Sequence, residues 1–219
     1  MKKLSLKAVV FDFDGTLAEL NIDFGLMRQS VLDLLSLYDV PPDGLRDLFV
    51  LEMIAAGRTR LSLSRPGKEG EFSTLALAQI SEIEMQAARQ GSLFDGVREM
   101  LWELRTRAVK TGVVTRNCLA ALESLFPDIH RYINTVITRE LTPHVKPHPV
   151  HLQMILKQLD VALAQTAMVG DHPMDIKAGK DAGVYAIGVL TGHATAEALH
   201  QAGADLVLEK AADILHVLA

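Results

Sequence analysis

Short apolar runs that end in polar or glycine-bearing turns punctuate the chain at residues 7–13, 112–115, 135–138, 166–170, 184–189 and 206–208. Each reads as a buried strand. From residue 95 onward these runs alternate with helical patterns at 97–107, 120–125, 149–159, 174–181 and 194–201. That alternation predicts right-handed crossover units and a parallel sheet, an α/β core.

The stretch from about residue 23 to 91 breaks this rhythm, offering amphipathic helices and no strand. Phe24, Met27, Val31, Leu34, Leu35 and Tyr38 fall on one helical stripe, and Phe72, Leu75, Ile80 and Ile83 suggest a second. Between them Pro41-Pro42-Asp43-Gly44 reads as a turn and Ser64-Arg65-Pro66-Gly67 as a loop. This segment is expected to be a helical domain inserted after the first strand.

Acidic residues gather where the apolar runs end. The first run delivers Asp12-Phe13-Asp14-Gly15-Thr16-Leu17. Strand alternation turns Asp12 and Asp14 to one side and Phe11 and Phe13 to the other. Two adjacent carboxylates repel, so the pair implies a bound cation, a shared proton, or both. Gly15 permits the sharp turn that would expose them at the carboxyl end of the strand. A later run closes on Gly170-Asp171-His172-Pro173-Met174-Asp175, adding hard oxygen ligands of the kind Mg²⁺ prefers. Asp175 suits a metal or a helix cap equally.

Val113-Val114-Thr115-Arg116-Asn117 brings a hydroxyl and backbone donors to the same edge, suited to phosphate oxygens or to starting a helix. In His144-Val145-Lys146-Pro147-His148-Pro149 the prolines fix the backbone around Lys146, whose charge could neutralise phosphate and carboxylate together. His144, His148 and His151 invite a zinc reading, but no tetrahedral set accompanies them and solvated surface histidines fit better. Cys118 has no paired base and reads as a small residue at a helix start.

In order and spacing these motifs resemble the haloacid dehalogenase superfamily, nearest to its phosphoglycolate-phosphatase-like members with a helical cap. Asp12 and Asp14 match the first motif of that family, Thr115 the second, Lys146 the third, and Asp171 with Asp175 the fourth. The resemblance implies a Rossmann-like three-layer core over 1–17 and 95–219, with an all-helical cap at 18–94. It further implies a Mg²⁺-dependent phosphatase acting on a small phosphorylated metabolite, a phosphoglycolate-like monoester. Asp12 would attack phosphorus and become a phosphoaspartate, and Asp14 would serve as acid and then base. Mg²⁺ would be held by the Asp12 carboxylate, the Asp14 main-chain carbonyl and Asp171, with Asp175 ligating or ordering its waters. Lys146, Thr115, Arg116 and Asn117 would bind the substrate. A sugar-phosphate mutase shares the phosphoaspartate step, and a phospho-receiver module or an idle scaffold shares the acidic cluster.

The cap would select the substrate. Arg58, Arg60, Arg65 and Lys68, read as lying in a loop over residues 57–71, could meet an anion, and Lys68 could form a Schiff base of the phosphonoacetaldehyde type. Composition narrows the rest of the picture. With 219 residues and 49% hydrophobic content the chain can bury a sizeable core. A net charge of -5 argues against nucleic acid. One cysteine excludes an internal disulfide and fits the cytoplasm. No run of about 18 apolar residues suggests a membrane span. Mean hydropathy of +0.19 leaves room for a homodimer as well as a monomer.

Overall fold

The computed structural model describes residues 3–219. In chain order the strands are β1 (Ala8–Phe11), β2 (Ala18–Glu19), β3 (Ser92–Leu93), β4 (Lys110–Val114), β5 (Thr135–Ile137), β6 (Thr166–Gly170), β7 (Tyr185–Val189) and β8 (Leu206–Leu208). The α-helices are α1 (Phe24–Leu37), α2 (Val50–Ser64), α3 (Glu69–Gln90), α4 (Val97–Thr106), α5 (Leu119–Leu125), α6 (Pro149–Leu159), α7 (Pro173–Asp181), α8 (Ala196–Gln201) and α9 (Ile214–Val217). The chain gathers into two compact units, one formed by residues up to Leu20 together with Gly91–Ala219, the other by Asn21–Gln90.

In the first unit six strands form one sheet in the order β5-β4-β1-β6-β7-β8, and every pairing is parallel. Alternation along β1 sends its side chains to two separate cores. Val9 and Phe11 join Met100, Leu101 and Leu104 of α4, Leu122 of α5 and Ile214 of α9. Ala8 and Val10 join Leu152, Ile155, Leu156 and Leu159 of α6 with Ala178 of α7. Helices therefore cover both faces, which is why the strands read as continuous apolar runs. This is the three-layer parallel α/β core that the pattern predicts. Strand order reverses across β1, with β4 and β5 on one side and β6 to β8 on the other, so the carboxyl ends of β1, β4 and β6 border the crevice of an open sheet.

The expected insert, 18–94, includes β2 and β3. Their antiparallel pairing, Ala18 with Leu93 and Glu19 with Ser92, keeps both strands in the first unit.

The second unit is built from α1, α2 and α3 around its own core, which includes Met27, Val31, Leu35, Met53, Leu61, Phe72 and Ile80. Asp23 caps α1 by accepting from the Leu26 N–H at 2.7 Å. Two members of the predicted stripes, Phe24 and Leu75, are 60% and 44% exposed and lie outside this core. The supposed loop over 57–71 is largely helical, since α2 runs to Ser64 and α3 begins at Glu69. No helix among the described residues is long and apolar enough to cross a membrane.

Candidate active site

The site grows from the carboxyl end of β1. The Asp12 N–H donates to the Val169 carbonyl at 2.9 Å, extending the ladder one residue beyond the strand. The chain then turns at Gly15, whose φ of +76° lies in the left-handed region. A Cβ there would come within 2.6 Å of the Asp171 carboxylate, so the glycine also makes room for the acid arriving from β6. Thr16 donates its hydroxyl to Asp171 at 3.2 Å, and Thr191 donates to the Gly15 carbonyl at 2.6 Å, clasping the turn from the end of β7.

Asp12 and Asp14 take different partners. Lys146 lies 2.7 Å from Asp12 and 2.6 Å from Asp175, so one ammonium serves two carboxylates. Lys146 is 1% exposed and Asp175 is equally buried. Burial alone would strip the proton from Lys146, but the carboxylates of Asp12 and Asp175 outweigh it and hold the ammonium above its ordinary range. Asp175 is used twice, because its second oxygen accepts from the His172 N–H at 3.2 Å and completes a capping box at the start of α7.

Asp14 instead accepts from the Thr115 hydroxyl at 3.1 Å and from the Asn117 side-chain amide at 2.9 Å. The Thr115 hydroxyl in turn accepts from the Asn117 N–H at 3.0 Å, so the end of β4 is ordered around Asp14. Thr115 and Asn117 are both buried. The Arg116 guanidinium bonds the Lys146 carbonyl and lies 3.7 Å from the Met174 sulfur. Cys118 is buried at the N-cap of α5, as expected for a small residue there.

Four carboxylates thus crowd one ammonium. Asp12, Asp171 and Asp175 each present an oxygen, and these oxygens lie within 4.8 Å of one another. Burial and the nearby Asp175 push Asp12 well above the usual carboxylate range, against the pull of Lys146. The same two causes raise Asp171 to about 6. Burial also raises Asp14, with the Asn117 and Thr115 donors acting against it. Protons this tightly held mark uncompensated negative charge, and an all-oxygen donor set of this kind fits a hard divalent cation.

Two participants, Thr16 and Thr191, were given no role from the sequence. Both make contacts across most of the chain, which spacing alone does not reveal. His151 was legible: with Leu152, Ile155, Leu156 and Leu159 it falls on the inner stripe of α6. The reading of it as a solvated histidine is corrected, because its side chain is fully buried. His144 and His148 are exposed and their rings stack at 4.3 Å. Among the described residues the only cluster of three or more metal-ligating side chains is the aspartate group, so the zinc reading finds no support. Three of the four cations offered to an anion are engaged within the helical unit: Arg60 donates to the carbonyls of Pro41 and Asp43, Arg65 pairs with Asp39, and Lys68 pairs with Glu71.

A partly buried acidic cluster at the carboxyl edge of a three-layer parallel sheet, with a buried lysine across from it, defines a class. The chain belongs to the haloacid dehalogenase-like hydrolase family, whose profile matches residues 9–189. Among individual relatives, Pyrophosphatase PpaX of Bacillus mycoides (strain KBAB4) is 29% identical over 229 residues, covering 99% of this chain and 98% of the relative. The fold is shared with a solved hydrolase of Pseudomonas syringae at 19% identity and a TM-score of 0.68, covering 96% of each chain. It is also shared with a predicted phosphoglycolate phosphatase of Haemophilus somnus 129pt at 20% identity and a TM-score of 0.66, covering 97% of this chain and 98% of that one.

Proposed function

We propose that this hydrolase is a Mg²⁺-dependent phosphatase that works through a phosphoaspartate on Asp12. The observation that carries the reading is the convergence of the Asp12, Asp171 and Asp175 oxygens, within 4.8 Å, beside the buried Lys146 ammonium. Asp12, Asp171 and the Asp14 carbonyl would hold Mg²⁺, with Asp175 braced behind them. Bound there, the ion supplies charge neutralisation for the phosphoryl oxygens.

The chain's own residues do the rest. An Asp12 oxygen attacks phosphorus as the ester P–O bond breaks. Asp14, whose carboxyl burial biases toward the protonated form, gives its proton to the leaving alkoxide. A water then attacks the phosphoaspartate and passes its proton to Asp14. The acyl P–O bond breaks, and phosphate leaves with the Asp12 carboxylate restored. Lys146 lowers the repulsion between the attacking carboxylate and the anionic substrate. Thr115, Asn117 and Arg116 line the strand end that receives the phosphoryl oxygens, and Asp14 gives up its Thr115 and Asn117 donors as phosphate enters.

The substrate is a small phosphorylated metabolite. The name of the PpaX relatives puts inorganic pyrophosphate beside phosphoglycolate and sugar phosphates as the compounds to assay first. Phosphate release from this panel, with Mg²⁺ and with chelator, tests the reading. Release from at least one compound that stops with chelator and returns with Mg²⁺ supports it; metal-independent release, or none from any compound, overturns it.

A further inference from the structure

We propose that His151 is a positioning residue that fixes the main chain of Lys146, and through it the ammonium that Asp12 and Asp175 share. His151 is the third residue of α6 and is fully buried. Its Nδ1 accepts from the Lys146 N–H at 3.1 Å, and its Nε2 lies 3.1 Å from the Ile137 carbonyl oxygen. An amide N–H can only donate and a carbonyl can only accept, so these partners assign one ring state, with the lone pair on Nδ1 and the hydrogen on Nε2.

The Ile137 carbonyl also accepts from the Thr115 N–H at 3.1 Å. One imidazole therefore ties the loop carrying Lys146 to the carbonyl that anchors Thr115, whose hydroxyl reaches Asp14. From the other side, Arg116 bonds the Lys146 carbonyl, so both polar groups of that peptide residue are held. Charging the ring would set an N–H against the Lys146 N–H. Burial, followed by the positive charge of Lys146, brings the pKa of His151 down to about 4 and keeps it neutral. A lysine whose backbone is pinned in this way delivers its ammonium to one place, and small displacements of such a group are costly in rate.

The kinetic arm of the test rests on the phosphatase reading. Three substitutions separate positioning from mere filling of space. His151→Leu removes both hydrogen bonds, His151→Asn puts an acceptor near the Nδ1 position, and His151→Gln puts a donor near Nε2. In phosphate release with Mg²⁺, His151→Leu should lower kcat by about 10- to 100-fold with little change in KM. His151→Asn should recover most of that loss and His151→Gln should not. A folded His151→Leu protein within about twofold of wild-type kcat, or equal recovery by Asn and Gln, overturns the proposal.

A second arm needs no substrate. Nitrogen NMR of the wild-type ring at neutral pH should find the proton on Nε2, and a protonated Nδ1 overturns the assignment whether or not His151→Leu folds. If the wild type releases no phosphate, the functional reading falls separately. Exchange of the Lys146 amide proton then decides: slow in wild type and His151→Asn but faster in His151→Gln supports positioning, and equal rates in all three refute it.

Discussion

Lys146, in the α/β unit, is 1% exposed and sits between two carboxylates, whereas Arg65, in the helical unit, has a side chain 46% exposed and paired with Asp39 alone. Both are cations in contact with aspartate, yet they answer to different physics. Solvent screens the Arg65 pair, which serves to hold a turn. Lys146 has no such screening, and four neighbouring acids outnumber it. A group of unbalanced buried charges is unfavourable for folding in its own right, so its presence at a strand edge points to chemistry. Three of the four cations that the sequence offered to an anionic substrate, Arg60, Arg65 and Lys68, have partners within their own unit.

Lys146→Met should break the contrast most severely. In chelator at neutral pH it leaves Asp12 and Asp175 buried without their cation, and urea unfolding should record a loss of about 3–5 kcal/mol. Mg²⁺ should act in the other direction. At a hundredfold excess over its Kd the ion should stabilise the wild type by about 2.7 kcal/mol in the same experiment, and Asp171→Asn should abolish most of that gain.

A pH series sharpens the contrast further. The pKa of His151 is depressed from 6.5 to about 4, so the folded state binds its proton less tightly than the unfolded state. Its contribution is complete above about pH 6.5 and is lost as pH falls toward 4, an effect of about 2–3 kcal/mol. Asp171, raised from 3.8 to about 6, works in the opposite sense, favouring the folded state most at low pH and less as pH rises. Because the two windows overlap, the His151 slope emerges as the difference between wild-type and His151→Asn unfolding curves measured in chelator. The smallest effect belongs to the cap: Arg60→Ala and Arg65→Ala should leave kcat and KM within about twofold of wild type. A large rise in KM would return those side chains to the substrate.

Much of this contrast could be read from the chain, and the omissions have causes. The six strands of the main sheet were legible because helices cover both of its faces, leaving β1 to β8, apart from the short β2–β3 pair, as short, mostly apolar runs. The β2–β3 pair was not, being two residues on each side. Helix α2 was hidden by Gly57, which interrupts its apolar stripe at the point of closest packing. A Cβ at Gly57 would lie 2.6 Å from Leu35 and 3.0 Å from Phe72. In the site, residue types and strand-end placement put forward Asp12, Asp14 and Asp171, whereas Thr115, Lys146 and Asp175, which fit a cap or a solvated loop as well, were drawn in by the family resemblance. Their pairing was not legible, because which acid meets which donor depends on contacts such as Thr115 to Asp14 across 101 residues. The predicted helix over 149–159 already contained His151, whose periodicity puts it on the inner stripe, but it was grouped with His144 and His148, which are exposed, and read as solvated with them.

The proposed phosphatase chemistry requires Asp12 to carry the phosphoryl group. Its most direct test is an acid quench of the wild-type protein during turnover of a radiolabelled phosphoester with Mg²⁺, followed by peptide mapping. Phosphoryl transfer to Asp12 should leave a hydroxylamine-sensitive acyl phosphate on that residue, with neither label nor turnover in a folded Asp12→Asn protein; label on another residue, or wild-type turnover in Asp12→Asn, would rule it out.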